Sequence, residues 1–286
     1  MTTPPVVDAH QHFWRSASRE QTWRKPGHEI LARAYLPTDL ADELDRVGVD
    51  GTVVVQSVNT LEETATLLDI AREQPFVWGV VGWLPLEDPA ACSRELERIV
   101  GHRELKGIRH LINVEPDPDW IVRDGVVQSL SLLAEHGLTF DVVAITDAHL
   151  EHVSSLAGRL PGLRLVVDHL ARPPVLEGGW EPWATRLARA AEHPNVYVKL
   201  SAGIDVVTDW PAWSAEELQP YVDWTIACFG AQRTMFASNW PVVLLTGPYE
   251  QAWRETNRTI AGLSDPDRAA VLGGTAVTFY DLEVTS

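Results

Sequence analysis

The sequence predicts an α/β fold, a single (β/α)8 barrel that occupies residues 1–286 as one domain. Its 286 residues fit a barrel, which commonly takes about 250 residues. Eight short runs of β-branched and apolar residues alternate with segments of helical periodicity. Each run is apolar throughout, which is typical of parallel strands that are covered on both faces.

The eight predicted strands follow one another along the whole chain. They are Val6–Ala9, Thr52–Gln56, Val77–Trp83, Leu105–Arg109, Thr139–Val143, Leu163–Val167, Val196–Leu200 and Thr234–Ala237. An open doubly wound sheet is the alternative, and it normally carries a glycine-rich turn after its first strand. This chain has His10-Gln11-His12-Phe13-Trp14 there, which favours the barrel.

Capping residues mark the predicted helices. Thr60 and Glu63 predict a capping box for a helix that ends before Pro75. Asp88 precedes Pro89 as an N-cap, and Gly101 closes that helix. Further helices are predicted at about 147–159, 181–192, 214–229 and 248–262, with short closing helices from Ser264; Gly48, Gly137 and Gly230 take C-terminal positions. Loops are predicted over 14–36, 111–123 and 171–180, on the side where barrels build active sites.

Composition excludes several classes of function. The chain has 23 Lys and Arg against 40 Asp and Glu, a net charge of −17, so we expect no binding to nucleic acid or anionic membranes. Cys92 and Cys228 are too few for a disulfide framework. The N-terminus lacks a signal peptide pattern, and no apolar run reaches about 18 residues. We expect a cytoplasmic protein that is a monomer or a homodimer.

Polar clusters end four of the predicted strands. In Asp8-Ala9-His10-Gln11-His12 the two histidines are two residues apart, so a strand can point both imidazoles at one metal ion. A hydrogen-bonded histidine pair without a metal is the alternative. The other clusters are Lys106-Gly107-Ile108-Arg109-His110, Asp168-His169 and Ser238-Asn239-Trp240-Pro241. Because strand ends of a barrel meet on one face, we expect His10, His12, Arg109, His169 and Asn239 to surround one pocket.

Several further side chains are candidates for substrate binding. Arg109 and Lys199 are the cations placed to meet a substrate oxygen, although Lys199 could instead form a structural pair with Asp141 or Asp168. Among the 12 tryptophans, those that follow strands could offer flat apolar surface to a sugar ring or lactone. The full set of candidates is Trp14, Gln56, Asn59, Trp83, His110, Asp141, Lys199 and Trp240, with Trp120 as a further mouth residue.

The chain resembles the amidohydrolase superfamily, in the branch of sugar-lactone hydrolases that includes L-fucono-lactonase and L-rhamnono-lactonase and is related to 2-pyrone-4,6-dicarboxylate lactonase. The segments that carry this resemblance are VVDAHQHFW, GVVGWLPLEDP, LKGIRHLINVEPDPDW, VVDHLARPP, NVYVKLSAG and FASNWPVV. The resemblance implies a distorted TIM barrel of the amidohydrolase type.

The resemblance also implies roles for the site residues. His10, His12 and His169 would surround one divalent metal ion, zinc by preference, although some relatives of this branch work without a metal. The position of Asn239 is usually an aspartate that acts as general base. Asn239 cannot accept a proton, so it is either the native working residue or an engineered replacement of Asp. In the first case Asn239→Asp should lower turnover, and in the second it should raise it. The resemblance favours the second outcome, because a carboxylate usually stands at this position.

These features predict a hydrolase that opens a small cyclic ester, foremost a sugar-acid lactone, by attack of an activated water on the carbonyl carbon. A metal-dependent non-oxidative decarboxylase of the same superfamily is the alternative reaction. The alternative in which the protein is not an active enzyme is a barrel that binds a ligand but is catalytically impaired because of Asn239.

Overall fold

The computed structural model describes residues 4–15, 21, 23–175, 179–203 and 213–284. Eight parallel strands form one sheet in sequential order. They are β1 (Val7–Gln11), β2 (Gly51–Val55), β3 (Val77–Gly82), β4 (Leu105–His110), β5 (Thr139–Val142), β6 (Leu165–Val167), β7 (Val196–Leu200) and β8 (Thr234–Phe236). The predicted (β/α)8 barrel is confirmed, with each strand within two residues of its predicted ends.

Backbone contacts between the first and last strands bring the barrel close to closure. Gln11 and Trp240 form a parallel bridge, and the His12 amide donates to the Trp240 carbonyl at 2.7 Å. The Asn239 amide donates to the His10 carbonyl at 2.8 Å. These contacts lie among the predicted site residues, so barrel closure also positions the chemistry.

Helices follow the strands in the described parts of the chain. They are α1 (Pro37–Val47), α2 (Leu61–Glu73), α3 (Pro89–Ile99), α4 (Asp124–Glu135), α5 (Asp147–Arg159), α6 (Trp183–Ala191), α7 (Ala215–Phe229), α8 (Tyr249–Thr259), α9 (Asp265–Ala269) and α10 (Thr275–Tyr280). The predicted N-cap of α3 is present, since Asp88 Oδ1 accepts from the amides of Ala90 and Ala91, both at 3.0 Å.

The capping box predicted for α2 is only half formed. Thr60 Oγ1 accepts from the Glu63 amide at 3.2 Å, as predicted. The Glu63 carboxylate instead accepts from the amides of Ser57 and Val58, at 2.8 and 2.9 Å, and from Ser57 Oγ at 2.6 Å. A buried carboxylate gains more from three donors than from one, and it thereby fixes the loop after β2.

The C-terminal segment packs against the barrel interior. Val7, Val53 and Met235 share a buried cluster with Phe279 and Tyr280 of α10. Gly273 allows the close approach, because a Cβ there would lie 1.9 Å from the Pro5 carbonyl oxygen. Within the described ranges, we found no helix whose length and apolar character would suit a membrane span.

Candidate active site

A pocket opens at the carboxyl ends of the strands. Its lining residues are His12, Trp23, Ser57, Arg109, Leu111, Asn113, Val143, His169, Arg172, Asn239 and Val242. Four of the five predicted central residues therefore line one pocket. The fifth, His10, lies next to them, with its ring centroid 4.8 Å from that of His12 and 4.7 Å from that of His169.

His10 and His12 present ring nitrogens to one point. Their Nε2 atoms are 3.1 Å apart. The Val55 carbonyl oxygen lies 2.7 Å from His12 Nδ1 and accepts its proton, so His12 Nε2 carries the lone pair. Burial, with the nearby Arg109 charge, lowers the pKa of His12 to about 3. His12 is therefore neutral near pH 7 and able to act as a ligand or a proton acceptor.

Asp168 orients His10 from the Nδ1 side of the ring, opposite the Nε2 atom that faces His12. Its Oδ1 lies 3.3 Å from His10 Nδ1, and its Oδ2 accepts from Arg109 Nη1 at 3.1 Å. Burial alone would raise the pKa of Asp168, but the charge of Lys199, with His10 and Arg109, holds that pKa well below its usual range. Burial and the Lys199 charge lower the pKa of His10 well below its ordinary value. A neutral imidazole thus stands beside an ionised carboxylate.

Lys199 forms the structural pairs that were the alternative to substrate contact. Its Nζ lies 2.5 Å from Asp141 Oδ2 and 3.1 Å from Asp168 Oδ1. It also lies 3.1 Å from His10 Nδ1, and Tyr280 donates to Asp141 at 2.9 Å. Lys199 and Asp141 are fully buried and are not among the pocket-lining residues. Their position favours a role in supporting His10 and Asp168, and their contact with substrate stays a prediction.

Arg109 lines the pocket, but both terminal nitrogens of its guanidinium already contact other residues. Its Nη1 lies 3.2 Å from His10 Nε2 as well as contacting Asp168, and its Nη2 donates to the backbone carbonyl and to Oε1 of Gln56. The predicted clamp on a substrate carboxylate stays a prediction. The geometry favours an anchor that fixes the ends of β1, β2, β4 and β6 relative to one another.

His169 lies on an unusual turn after β6. Residues His169, Leu170, Ala171 and Arg172 all have φ between 52° and 56°. Each such residue costs roughly 1–2 kcal/mol without glycine, so surrounding contacts must hold the turn. Trp183 Nε1 donates to the Leu170 carbonyl at 2.8 Å, and Ser201 Oγ lies 2.7 Å from His169 Nδ1. Burial lowers the pKa of His169 to about 3, so this imidazole is also neutral near pH 7.

Asn239 is held by backbone and side-chain bonds after β8. Its φ is 57°, a conformation that asparagine tolerates better than most residues. Its Nδ2 donates to the Ala202 carbonyl at 3.0 Å. With the amide nitrogen bonded in this way, Oδ1 is the atom that can accept a hydrogen bond from a water or a substrate hydroxyl.

The remaining polar candidates form a hydrogen-bonded cluster beside the pocket. Gln56 Nε2 donates to Asn59 Oδ1 at 3.0 Å. Trp83 Nε1 donates to His110 Nδ1 at 3.0 Å, and His110 Nε2 lies 2.7 Å from Glu115 Oε1. None of Gln56, Asn59, Trp83 and His110 is among the described pocket-lining residues. Their predicted substrate contacts stay predictions.

Most of the tryptophans that were predicted to line the pocket mouth are buried in the protein core. Trp120 stacks on His110 with ring centroids 3.9 Å apart, and Trp240 packs against Phe13 and Tyr35. Trp120 and Trp240 are at most 2% exposed, while Trp14 lines a neighbouring cavity. Among the described residues, the tryptophan that lines the active-site pocket is Trp23. Trp14 and Trp240 are buried because they pack with Tyr35 of the first loop, whereas Trp120 is buried against His110.

Sequence reasoning missed Trp23, Asn113 and Arg172, although the three predicted site-side loops contain them. Residue type and spacing carried no signal that would single them out. It also missed Asp8, a fully buried carboxylate. Asp8 accepts from the Ser238 amide at 2.8 Å and from the Tyr249 hydroxyl at 3.0 Å. Asp8 thus shapes the turn that carries Asn239.

The chemistry of the donor set fits a cation. The Nε2 atoms of His10 and His12 converge, and His12 Nε2 carries a lone pair. Ligand atoms of His10, Asp168 and His169 also lie within 4.8 Å of one another. Asp168 Oδ2 accepts a hydrogen bond from Arg109 Nη1. Asp168 Oδ1 lies 3.3 Å from His10 Nδ1 and 3.1 Å from Lys199 Nζ but has no hydrogen-bond partner among the described residues, so it is placed to orient His10 or to help hold an ion.

The fold and the site together define a barrel enzyme with a histidine-rich centre at the carboxyl ends of its strands. Residues 7–282 match the family model described as amidohydrolase, and the chain belongs to that family. An L-fucono-1,5-lactonase of Burkholderia ambifaria is 36% identical over 283 residues, which is 97% of this chain and 96% of that protein.

Solved structures of an amidohydrolase from Burkholderia multivorans are also similar. One carries bound HEPES and superposes with a TM-score of 0.90, and another carries bound zinc and superposes with a TM-score of 0.89. Each is 30% identical, and each alignment covers 98% of this chain and 100% of the other.

Proposed function

We propose that this protein hydrolyses a small cyclic ester, a sugar-acid lactone, to its open hydroxy acid. The observation that carries the proposal is the convergence of neutral His12 and His169 with Asn239 on a wall that also contains guanidinium groups. The similarity to L-fucono-1,5-lactonases supports this substrate class. A cytoplasmic location and a monomeric or homodimeric state stay predictions of the sequence.

Water activation is assigned to His169 and Asn239. Asn239 Oδ1 accepts a hydrogen bond from the attacking water and directs it, because an amide cannot take the proton itself. His169 takes the proton through Nε2 in the tautomer whose Nδ1–H donates to Ser201 Oγ, because Nε2 then carries the lone pair. The water oxygen then bonds to the lactone carbonyl carbon.

Ring opening completes the reaction. The oxyanion that forms on the carbonyl oxygen faces a wall that contains Arg109 and Arg172, which favours negative charge. The bond between the carbonyl carbon and the ring oxygen breaks, and the ring oxygen takes the proton from His169. One water is consumed, and the product is a hydroxy acid that ionises at neutral pH.

A divalent ion, for which we propose zinc, would be held by His10 and His12 beside His169, where it would lower the pKa of bound water and polarise the lactone carbonyl. The zinc-bound Burkholderia multivorans structure supports this choice. Val55 and Asp168 contribute by fixing the two rings.

The test is a pH-indicator screen of 1,4- and 1,5-aldonolactones and pyrone lactones, with and without a chelator. We expect acid release from an aldonolactone class, with a slower rate after chelation. Saturable lactone binding with no acid release would instead identify an impaired barrel. A rate that chelation leaves unchanged would reject the zinc.

A further inference from the structure

Asn113 lines the active-site pocket with a side-chain amide that the described residues leave partly unbonded. The residue is part-exposed, and its Oδ1 is buried without a hydrogen-bond partner among the described residues. Most buried polar atoms in folded proteins are bonded, and one that is not raises the free energy until a donor is supplied. An unbonded amide oxygen on a pocket wall therefore indicates a place where a ligand supplies the donor.

The other hydroxyl and amide side chains of the described lining already have partners. Ser57 Oγ donates to Glu63 Oε1 at 2.6 Å. Asn239 Nδ2 donates to the Ala202 carbonyl oxygen at 3.0 Å, and in the reaction proposed above its Oδ1 directs the attacking water. Asn113 is therefore the lining amide that remains to contact the part of the ligand that does not react.

The fold holds Asn113 in place from both ends of its turn. Asn113 is the middle residue of a three-residue 3-10 turn that follows β4. Before the turn, the Leu111 amide donates to Asn59 Oδ1 at 3.0 Å. After it, Glu115 Oε1 lies 2.7 Å from His110 Nε2. Because the backbone is fixed before a ligand arrives, a hydrogen bond to Asn113 costs little additional ordering.

We propose that the side-chain amide of Asn113 binds a ring hydroxyl of the sugar lactone and so selects hydroxylated lactones, an inference that rests on the proposed function. A hydroxyl both donates and accepts, and the χ2 torsion of asparagine is broad. The amide can therefore turn its oxygen or its nitrogen to the ligand while the backbone stays fixed. Leu111, Val143 and Val242 also line the pocket, and their side chains offer apolar contact to any lactone ring. A lactone without hydroxyls leaves the amide oxygen unbonded and gains nothing from Asn113.

The test compares kcat/KM for L-fucono-1,5-lactone, which carries ring hydroxyls, with kcat/KM for δ-valerolactone, a six-membered lactone that has none. The proteins are wild type, Asn113→Leu and the control Asn257→Leu, which is the same exchange on α8, where Asn257 Nδ2 donates to the Trp253 carbonyl oxygen at 2.9 Å. We expect Asn113→Leu to lower kcat/KM roughly 10- to 100-fold for L-fucono-1,5-lactone and less than about 3-fold for δ-valerolactone. Asn257→Leu should match wild type on both.

An equal loss on both lactones would overturn the assignment, since it would show that Asn113 only shapes the pocket. No loss on L-fucono-1,5-lactone, or an equal loss in Asn257→Leu, would also overturn it. If Asn113→Leu does not fold, Asn113→Ala gives the same comparison, because it adds no bulk to the turn.

A binding measurement separates this assignment from the proposed function. Its probe is the 1,5-lactam of L-fuconate, an uncharged analogue with a ring N–H in place of the ring oxygen, and we expect Asn113→Leu to weaken its calorimetric binding roughly 10- to 100-fold. Asn113-dependent lactam binding without lactone turnover would reject the proposed function and support the assignment. Lactone turnover with lactam binding that does not depend on Asn113 would do the reverse. A wild-type protein that neither turns over the lactone nor binds the lactam would overturn both.

Discussion

The side-chain nitrogen of Asn239 donates to the carbonyl oxygen of Ala202 at 3.0 Å. The resemblance alone predicted that Asn239→Asp raises turnover, and this bond favours the opposite outcome. An aspartate would place a carboxylate oxygen against a carbonyl oxygen and would lose the donor. An aspartate without this bond would no longer hold the position from which we assign it the attacking water. We therefore expect Asn239→Asp to lower kcat by roughly 10- to 100-fold, because a buried hydrogen bond left unmade costs about 1–3 kcal/mol.

Lactone turnover of the two forms at pH 6 to 9 checks this expectation. Asn239→Ser is a useful comparison, since it shortens the side chain without adding charge. A higher rate for Asn239→Asp than for wild type would show that Asn239 replaces a required base, and an equal rate would show that the Ala202 bond does not affect turnover.

Lys199 is expected to be essential for stability. Lys199→Met leaves Asp141 and Asp168 buried without their shared cation. Loss of one partner from a buried ion pair costs about 3–5 kcal/mol. Lys106→Met is the matched control on β4, because the hydrogen bond that Lys106 Nζ makes to a described residue goes to the Asp281 carbonyl oxygen, at 2.8 Å, and not to a carboxylate. Urea unfolding measures both, and similar midpoints for the two variants would contradict this account of Lys199.

Tyr280 connects the C-terminal helix to the charged cluster. Its hydroxyl donates to Asp141 at 2.9 Å, and both groups are buried. We expect Tyr280→Phe to destabilise the fold by about 1.5–3 kcal/mol, as for a hydrogen bond to a charged group. The free energy of unfolding tests this, and a variant as stable as wild type would show that Asp141 is satisfied by Lys199 alone.

Acid should destabilise the fold through its buried histidines. His12 and His169 have pKa values of about 3 in the folded chain, against about 6.5 when unfolded. The unfolded chain binds more protons between these values, so this stability is complete above pH 6.5 and is lost as pH falls. The loss is at most about 1.4 kcal/mol per histidine per pH unit.

Asp141 opposes that trend, because burial raises its pKa to about 6. Its stabilising contribution is present at low pH and is lost as pH rises. The pKa shifts of the two histidines are larger than the pKa shift of the one aspartate. We therefore expect the free energy of unfolding to fall as the pH is lowered from 6.5 to 5. Urea midpoints across that range measure it. His169→Asn should flatten the dependence, and a wild-type midpoint that does not change with pH would contradict the neutral histidines.

The barrel and the convergence of its strand ends could be predicted from the sequence, because strand periodicity and parallel topology are local and general. The spacing of His10 and His12 placed two imidazoles together, and their Nε2 atoms are 3.1 Å apart. The partners of Lys199 followed from the rule that a buried cation needs an anion. Arg172 could not be predicted in the same way, since its place depends on a left-handed turn that no local pattern announces.

The tryptophans show the other limit of sequence reasoning. Trp120 and Trp240 follow strands, yet stacking on His110 and packing against Phe13 bury them. Position along the chain gives the side of the barrel on which a residue lies. Whether the ring faces the pocket or the core is decided by neighbours that are distant in sequence.

The most direct test of the central claim compares lactone hydrolysis by wild type and His169→Asn. The substrate is L-fucono-1,5-lactone at pH 7, with ring opening followed by NMR and the uncatalysed rate subtracted. The account predicts turnover by wild type and a loss of roughly 100- to 10,000-fold in kcat for the variant, the usual contribution of a positioned proton acceptor. Equal rates for the two proteins would contradict it, because catalysis would then lie outside the pocket that contains His169.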